Sequence, residues 1–200
     1  RFQVQYVIRP GSEDLHDYRG YAGQIQSGTY RKGDPVLVLP AGLSTTIAAI
    51  EVHQREVEEA RAPQAAVFHL ADSVDVSRGT TIVPADRLPT LSQDIEAMIC
   101  ITGSAPIQPG ERVLLQHHSA TVRAVIQEVE HKLDINKLEK IAAPALLTAN
   151  DLAAVRLRTS EPLAFDPYWK NRKTGAFILI HENTNQTIAA GIIREPVAAL

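Results

Sequence analysis

The 200-residue chain has little of what usually carries chemistry. It has one cysteine, Cys100, so no internal disulfide can form. Cys100 lies in the apolar run 98–101 and reads as a small core hydrophobe rather than a reactive thiol. A single cysteine suits a reducing cytoplasm, the expected location. There is no basic excess: 20 Lys and Arg stand against 23 Asp and Glu, a formal net charge of -3. Nucleic acid, whose phosphates require clustered cations, is therefore not an expected partner. No block of one charge sign and no apolar stretch approaching about 18 residues occurs, so no membrane contact is expected. The opening Arg1-Phe2-Gln3-Val4 is not a signal peptide, and the sequon Asn185-Gln186-Thr187 reads as chance.

Motifs for nucleotide and metal chemistry are missing too. No Gly-x-x-x-x-Gly-Lys-Ser/Thr loop offers backbone N–H groups and a lysine to phosphates. Asn136-Lys137-Leu138-Glu139 resembles a guanine-specificity motif only superficially, because Glu139 stands where that motif needs Asp. No dinucleotide glycine fingerprint precedes a helix, and no Gly-x-Ser-x-Gly elbow supports a triad. His117 and His118 are adjacent, and in a strand they would point to opposite faces. With no paired cysteines, a zinc site is not expected. Catalytic, cofactor-binding and metal-binding residues are expected to be none in this chain, which reads as a binding or structural module. A cluster in the first long loop, Asp14, His16 and Asp17, reads either as a solvated connection or as a cation or partner contact.

What is present is strand signal. Hydrophobic residues make up 44% and charged residues 22%, enough to bury a core. Phe2, Val4, Tyr6 and Ile8 alternate with Gln3, Gln5 and Val7 at period two with one slip. Residues 20–26 follow, with Gly23 marking a bulge or close backbone approach. Further strands are read at 36–39, 45–53, 65–70 and 80–83. After a proline-containing linker at 84–89 they resume at 94–101, 112–116, 121–132, 152–158, 176–181 and 187–193. Residues 54–61 read as a hairpin end or a short helix, and 136–149 as carrying a helical turn. A turn–strand–turn–strand pattern recurs. Residues 32–38 lead to 46–50, and 109–115 lead to 121–125. The expected class is all-β, two consecutive small antiparallel β-barrels at 1–88 and 89–200.

Residues 18–28 (YRGYAGQIQSG) and 32–42 (KGDPVLVLPAG) resemble the second domain of translation-factor-like GTPases. The opening RFQVQYVIRP, Asp75-Val76-Ser77-Arg78-Gly79, the tract HKLDIN at 131–136 and the long run 161–180 are more specifically similar to the large subunit of bacterial sulfate adenylyltransferase. The resemblance spans the chain and implies barrels of elongation-factor domain II and III type. One departure is His181-Glu182, where that family usually has Asp after the Ile-Leu-Ile run.

The resemblance implies an enzyme that joins ATP and sulfate into adenosine 5′-phosphosulfate and pyrophosphate, driven by GTP hydrolysis. GTP and Mg would belong to an N-terminal G domain not found in these residues. Adenylyl transfer would belong to a small catalytic subunit. The expected partners are that G domain and that small subunit in a heterodimer, with these barrels relaying the GTPase state and inactive alone. Candidate partner-binding residues lie in two loops: Asp14, His16 and Arg19 in one, and Trp169, Lys170 and Arg172 in the other. Trp169 reads equally as an interface anchor or as a cap on a barrel end. The alternative reading is a tRNA-binding barrel pair of a translation elongation factor.

Overall fold

The computed structural model describes residues 1–9, 19–142 and 144–196, and no helix occurs among them. Contacts divide the chain into two compact units, Arg1–Pro89 and Thr90–Leu200.

The first unit contains β1 (Phe2–Ile8), β2 (Gly20–Ile25), β3 (Thr29–Arg31), β4 (Pro35–Leu39), β5 (Leu43–Val52), β6 (Arg55–Val57), β7 (Glu59–Arg61), β8 (Ala65–Leu70) and β9 (Thr81–Pro84). Its main sheet runs β4-β9-β1-β2-β8-β5, and β5 pairs back onto β4, closing a six-stranded antiparallel barrel. Closure removes open edges from these six strands. The first strand carries a register shift between Val4 and Tyr6, before the Val7 slip in its alternation. Phe2 and Val4 point into the core, and the shift turns Tyr6 out to 67% exposure. Gly23 faces Val4 across this irregularity, and a Cβ there would lie 1.9 Å from the Gln3 carbonyl oxygen. Residues 54–61 are not helical: β6 closes a hairpin with β5, and β7 pairs with β3 in a small two-stranded sheet. His53 and Gln54 take φ of 52° and 63°, the left-handed pair that a tight turn needs between β5 and β6.

The core of this barrel is aromatic at its centre. Phe2 and Phe68 stack at 4.0 Å, and Tyr30 lies 5.1 Å from Phe68. The Tyr30 hydroxyl donates to the Ile82 carbonyl at 2.9 Å, which satisfies the buried polar tip. Burial drives its pKa well above the ordinary tyrosine value.

The second unit contains β10 (Thr90–Ile101), β11 (Arg112–His117), β12 (Ala120–Asp134), β13 (Glu139–Ala142), β14 (Leu152–Phe165), β15 (Ala176–His181) and β16 (Thr187–Pro196). The order is β11-β15-β16-β10-β14-β12, closed by β11–β12, with β13 extending from β12. The architecture is therefore all-β, two closed six-stranded antiparallel barrels. The second core is chiefly aliphatic, with Phe165 and Phe177 as its aromatics. Gly191 pairs directly with Phe177, whose ring covers it so closely that a Cβ at 191 would fall 2.3 Å from the ring.

The recurrent sequence pattern is one structural device used twice. Gly33 and Gly110 both take φ of 87°. Gly33 N donates to Ile47 O at 2.7 Å and Ile47 N to Asp34 O at 3.1 Å. Gly110 N donates to Ile126 O at 2.7 Å and Ile126 N to Glu111 O at 3.1 Å. The acid after each glycine caps its own turn. Asp34 accepts from Arg31 N and Glu111 from Gln108 N. Each device leads into the hairpin that closes its barrel, β4–β5 or β11–β12.

Residues 134–138 close a single helical turn, Leu138 N donating to Asp134 O at 2.7 Å, before β13, and Leu147 forms an isolated bridge with Ile107. Two expectations are corrected. Cys100 is only half-buried, because the inward positions of β10 are taken by Ile99 and Ile101 and the thiol faces the other way. His118 lies past the end of β11 with φ of 54°, so its ring swings to 4.6 Å from that of His117 instead of pointing away.

Candidate partner interface

The loop between β14 and β15 is built to be rigid. Asp166 is buried and accepts a hydrogen bond from the Thr174 hydroxyl at 2.8 Å. His117, on the inward face of β11, donates from Nε2 to the Thr174 carbonyl at 2.9 Å. Tyr168 N donates to Ile193 O at 2.9 Å and Ile193 N to Gly175 O at 2.7 Å, tying both loop ends to β16. Inside the loop, the backbone N–H groups of Lys170 and Asn171 donate to Pro167 O at 2.9 and 3.0 Å. Desolvation, reinforced by the neighbouring His118, lowers the His117 pKa to about 4. His117 is therefore neutral near pH 7 and has the Nε2–H that the Thr174 carbonyl needs. Burial also lowers the His118 pKa.

On this clamped base Trp169 stands 76% exposed, so it does not plug the barrel end. Lys170 and Arg172 are exposed beside it in the same loop. Trp169 and Tyr168 share a hollow of about 340 Å³ with Glu96, Ile192, Ile193 and Arg194. An ion ladder continues from this hollow across the sheet. Arg194 lies 3.4 Å from Glu96 and 3.7 Å from Glu130, and Arg156 lies 3.1 Å from Glu130 and 3.3 Å from Glu128. These pairs are partly solvated, and each adds about 1 kcal/mol or less to stability. The arrangement sets one exposed aromatic side chain within a polar and charged surround.

The other candidate loop is only partly visible. Asp14, His16 and Asp17 lie outside the described residues. Arg19 belongs to the first unit, where its guanidinium donates to Ser73 Oγ at 2.5 Å and its carbonyl accepts from His69 Nδ1 at 2.9 Å. The sequence reading missed Glu96, Glu128, Glu130, Arg156 and Arg194. Their outward alternation is visible in the sequence, but the register that sets Glu96 and Glu128 on either side of Arg156 is not.

Among the described residues, no group of three or more His, Cys, Asp or Glu side chains could hold a metal ion. No helix among them is long and apolar enough to cross a membrane.

A family model described as GTP-eEF1A C-terminal domain-like matches residues 94–194, the length of the second barrel from β10 to β16. The chain belongs to that family. It is 42% identical over 200 residues to the "Bifunctional enzyme CysN/CysC" of Mycobacterium tuberculosis, covering 100% of this chain and 33% of that protein. It is 37% identical over 197 residues to "Sulfate adenylyltransferase subunit 1" of Bacteroides fragilis, covering 98% of this chain and 40% of that protein. The chain thus spans well under half the length of these curated relatives. A crystal structure of sup35 complexed with GDP matches with a TM-score of 0.87 over 98% of this chain and 47% of that one. At 19% identity, that likeness shows the barrel fold alone.

Proposed function

We propose that this chain is the double-barrel region of a sulfate adenylyltransferase large subunit and that it works by adhesion and relay, not by catalysis. The observation that carries this reading is its identity, 42% and 37% over nearly its whole length, to proteins named CysN/CysC and sulfate adenylyltransferase subunit 1. In this reading the assembly converts ATP and sulfate to adenosine 5′-phosphosulfate and pyrophosphate. GTP and Mg²⁺ are held by an N-terminal G domain, and the small subunit performs adenylyl transfer. GTP hydrolysis releases switch segments, and the barrels shift as closed bodies with few open edges.

The contact with the small subunit centres on Trp169, flanked by Lys170 and Arg172. Arg19, Asp14 and His16 form a second contact. A buried Trp anchor typically contributes 2 kcal/mol or more, so Trp169→Ala should weaken binding of the small subunit to the parent large subunit by at least about thirtyfold. This is measurable by titration calorimetry. Unchanged affinity removes Trp169 from the interface. Retention of aminoacyl-tRNA on filters at low salt would instead favour the elongation-factor reading.

A further inference from the structure

The outer face of the second barrel carries a groove separate from the Trp169 patch. Arg112, Val125 and Arg158 lie side by side in one row across β11, β12 and β14. Strands are about 4.8 Å apart, which sets the two arginine backbones about 10 Å apart with Val125 between them. Arg123 stands two residues from Val125 on the same outward face of β12. Together with Gln127 and Ser160 these residues line a groove of about 510 Å³, within the range of small-ligand sites.

Three guanidinium groups line this groove against one carboxylate, that of Glu182. The Arg123–Glu182 pair is loose, 3.4 Å with side chains 80% and 36% exposed. Arg158 pairs with Asp94 at 2.7 Å, also at the surface. Solvent-exposed pairs of this kind contribute little to stability. Arg112 has no ion pair among the described residues, and its neighbour in sequence, Glu111, is committed to capping the turn at Gln108. With Arg123 paired to Glu182 and Arg158 to Asp94, the surplus is the single charge of Arg112, on a chain of net charge -3.

We infer that this groove binds a small oxyanion of at least two negative charges, a phosphoryl or sulfuryl group. Arginine forks match tetrahedral oxyanions bidentately, and the Ser160 hydroxyl and Gln127 amide supply further donors. The inference stands independently of the role proposed for Trp169.

The test is amide NMR on the full chain, titrated with inorganic pyrophosphate and separately with sodium sulfate at matched ionic strength. The expected result is saturable shifts at residues 112, 123–127 and 158–160, with half-saturation below the millimolar range, weakened at least tenfold in the Arg112→Gln/Arg123→Gln variant. Tighter pyrophosphate binding assigns the site to phosphoryl groups, and equal or tighter sulfate binding assigns it to sulfuryl groups. Shifts that never saturate, or that saturate equally in the folded variant, overturn the inference. So does saturation of these amides by a glutamate-rich peptide when neither inorganic anion saturates them.

Discussion

His117 is an internal probe of this fold. The side chain is 2% exposed and bridges β11 to the Trp169 loop through the Thr174 carbonyl. Its pKa in the folded chain is about 4, against an ordinary 6.5. Because the folded value is depressed, the unfolded chain binds the extra proton between those limits. Stability then rises with pH from about 4 to 6.5 and levels off above. At about 1.36 kcal/mol per pH unit, this gap corresponds to roughly 3 kcal/mol. Urea unfolding followed from pH 4 to 7.5 in the wild type and in His117→Gln reads it directly. The neutral amide cannot take up the proton, so the variant should lose most of that slope while keeping the smaller contribution of His118, which has the same sign. Parallel pH profiles in the two proteins would refute a buried neutral His117.

Other perturbations have fixed signs. Gly191→Ala puts a methyl into the space of the Phe177 ring and should cost about 1–3 kcal/mol, seen as a lower urea midpoint. Phe68→Ala removes the ring that stacks on Phe2 and contacts Tyr30, and should cost about 3–5 kcal/mol in the same assay. Asp151 is buried and accepts from Thr148 N at 2.8 Å and Lys132 Nζ at 2.5 Å. Burial alone would raise its carboxyl, but Lys132 and Thr148 outweigh that and hold it below the ordinary value. Its contribution is fully present above the ordinary carboxylate pKa and is lost as pH falls through the lower folded value. Asp151→Asn should therefore destabilise the chain at pH 7, and the difference from wild type should shrink below about pH 4.

Much of the fold was legible because a strand with one wet face writes its alternation into the sequence. Val113 and Leu115 mark the inward face of β11 as plainly as Phe2 and Val4 mark that of β1. The glycine–acid turns at 33–34 and 110–111 were legible for the same local reason. Cross-strand events were not. β14 runs on to Phe165 past Pro162, which a local reading treats as a breaker. The register shift opposite Gln93 leaves that proline outside the ladder with β10, and the Gln93 amide covers the freed carbonyls of Thr159 and Ser160. The same limit hid the candidate sites. Trp169 announces itself as the one tryptophan of the chain, set in a charged loop, whereas the ladder around Arg156 and the row Arg112–Val125–Arg158 exist only once neighbouring strands are in register.

The relay role is tested most directly by the yield of adenosine 5′-phosphosulfate per GTP hydrolysed, measured in the assembled large and small subunits with and without Trp169→Ala. The account predicts that GTP hydrolysis persists in the variant at saturating small subunit while the yield per GTP falls severalfold. An unchanged yield, with the variant loop folded, would contradict it.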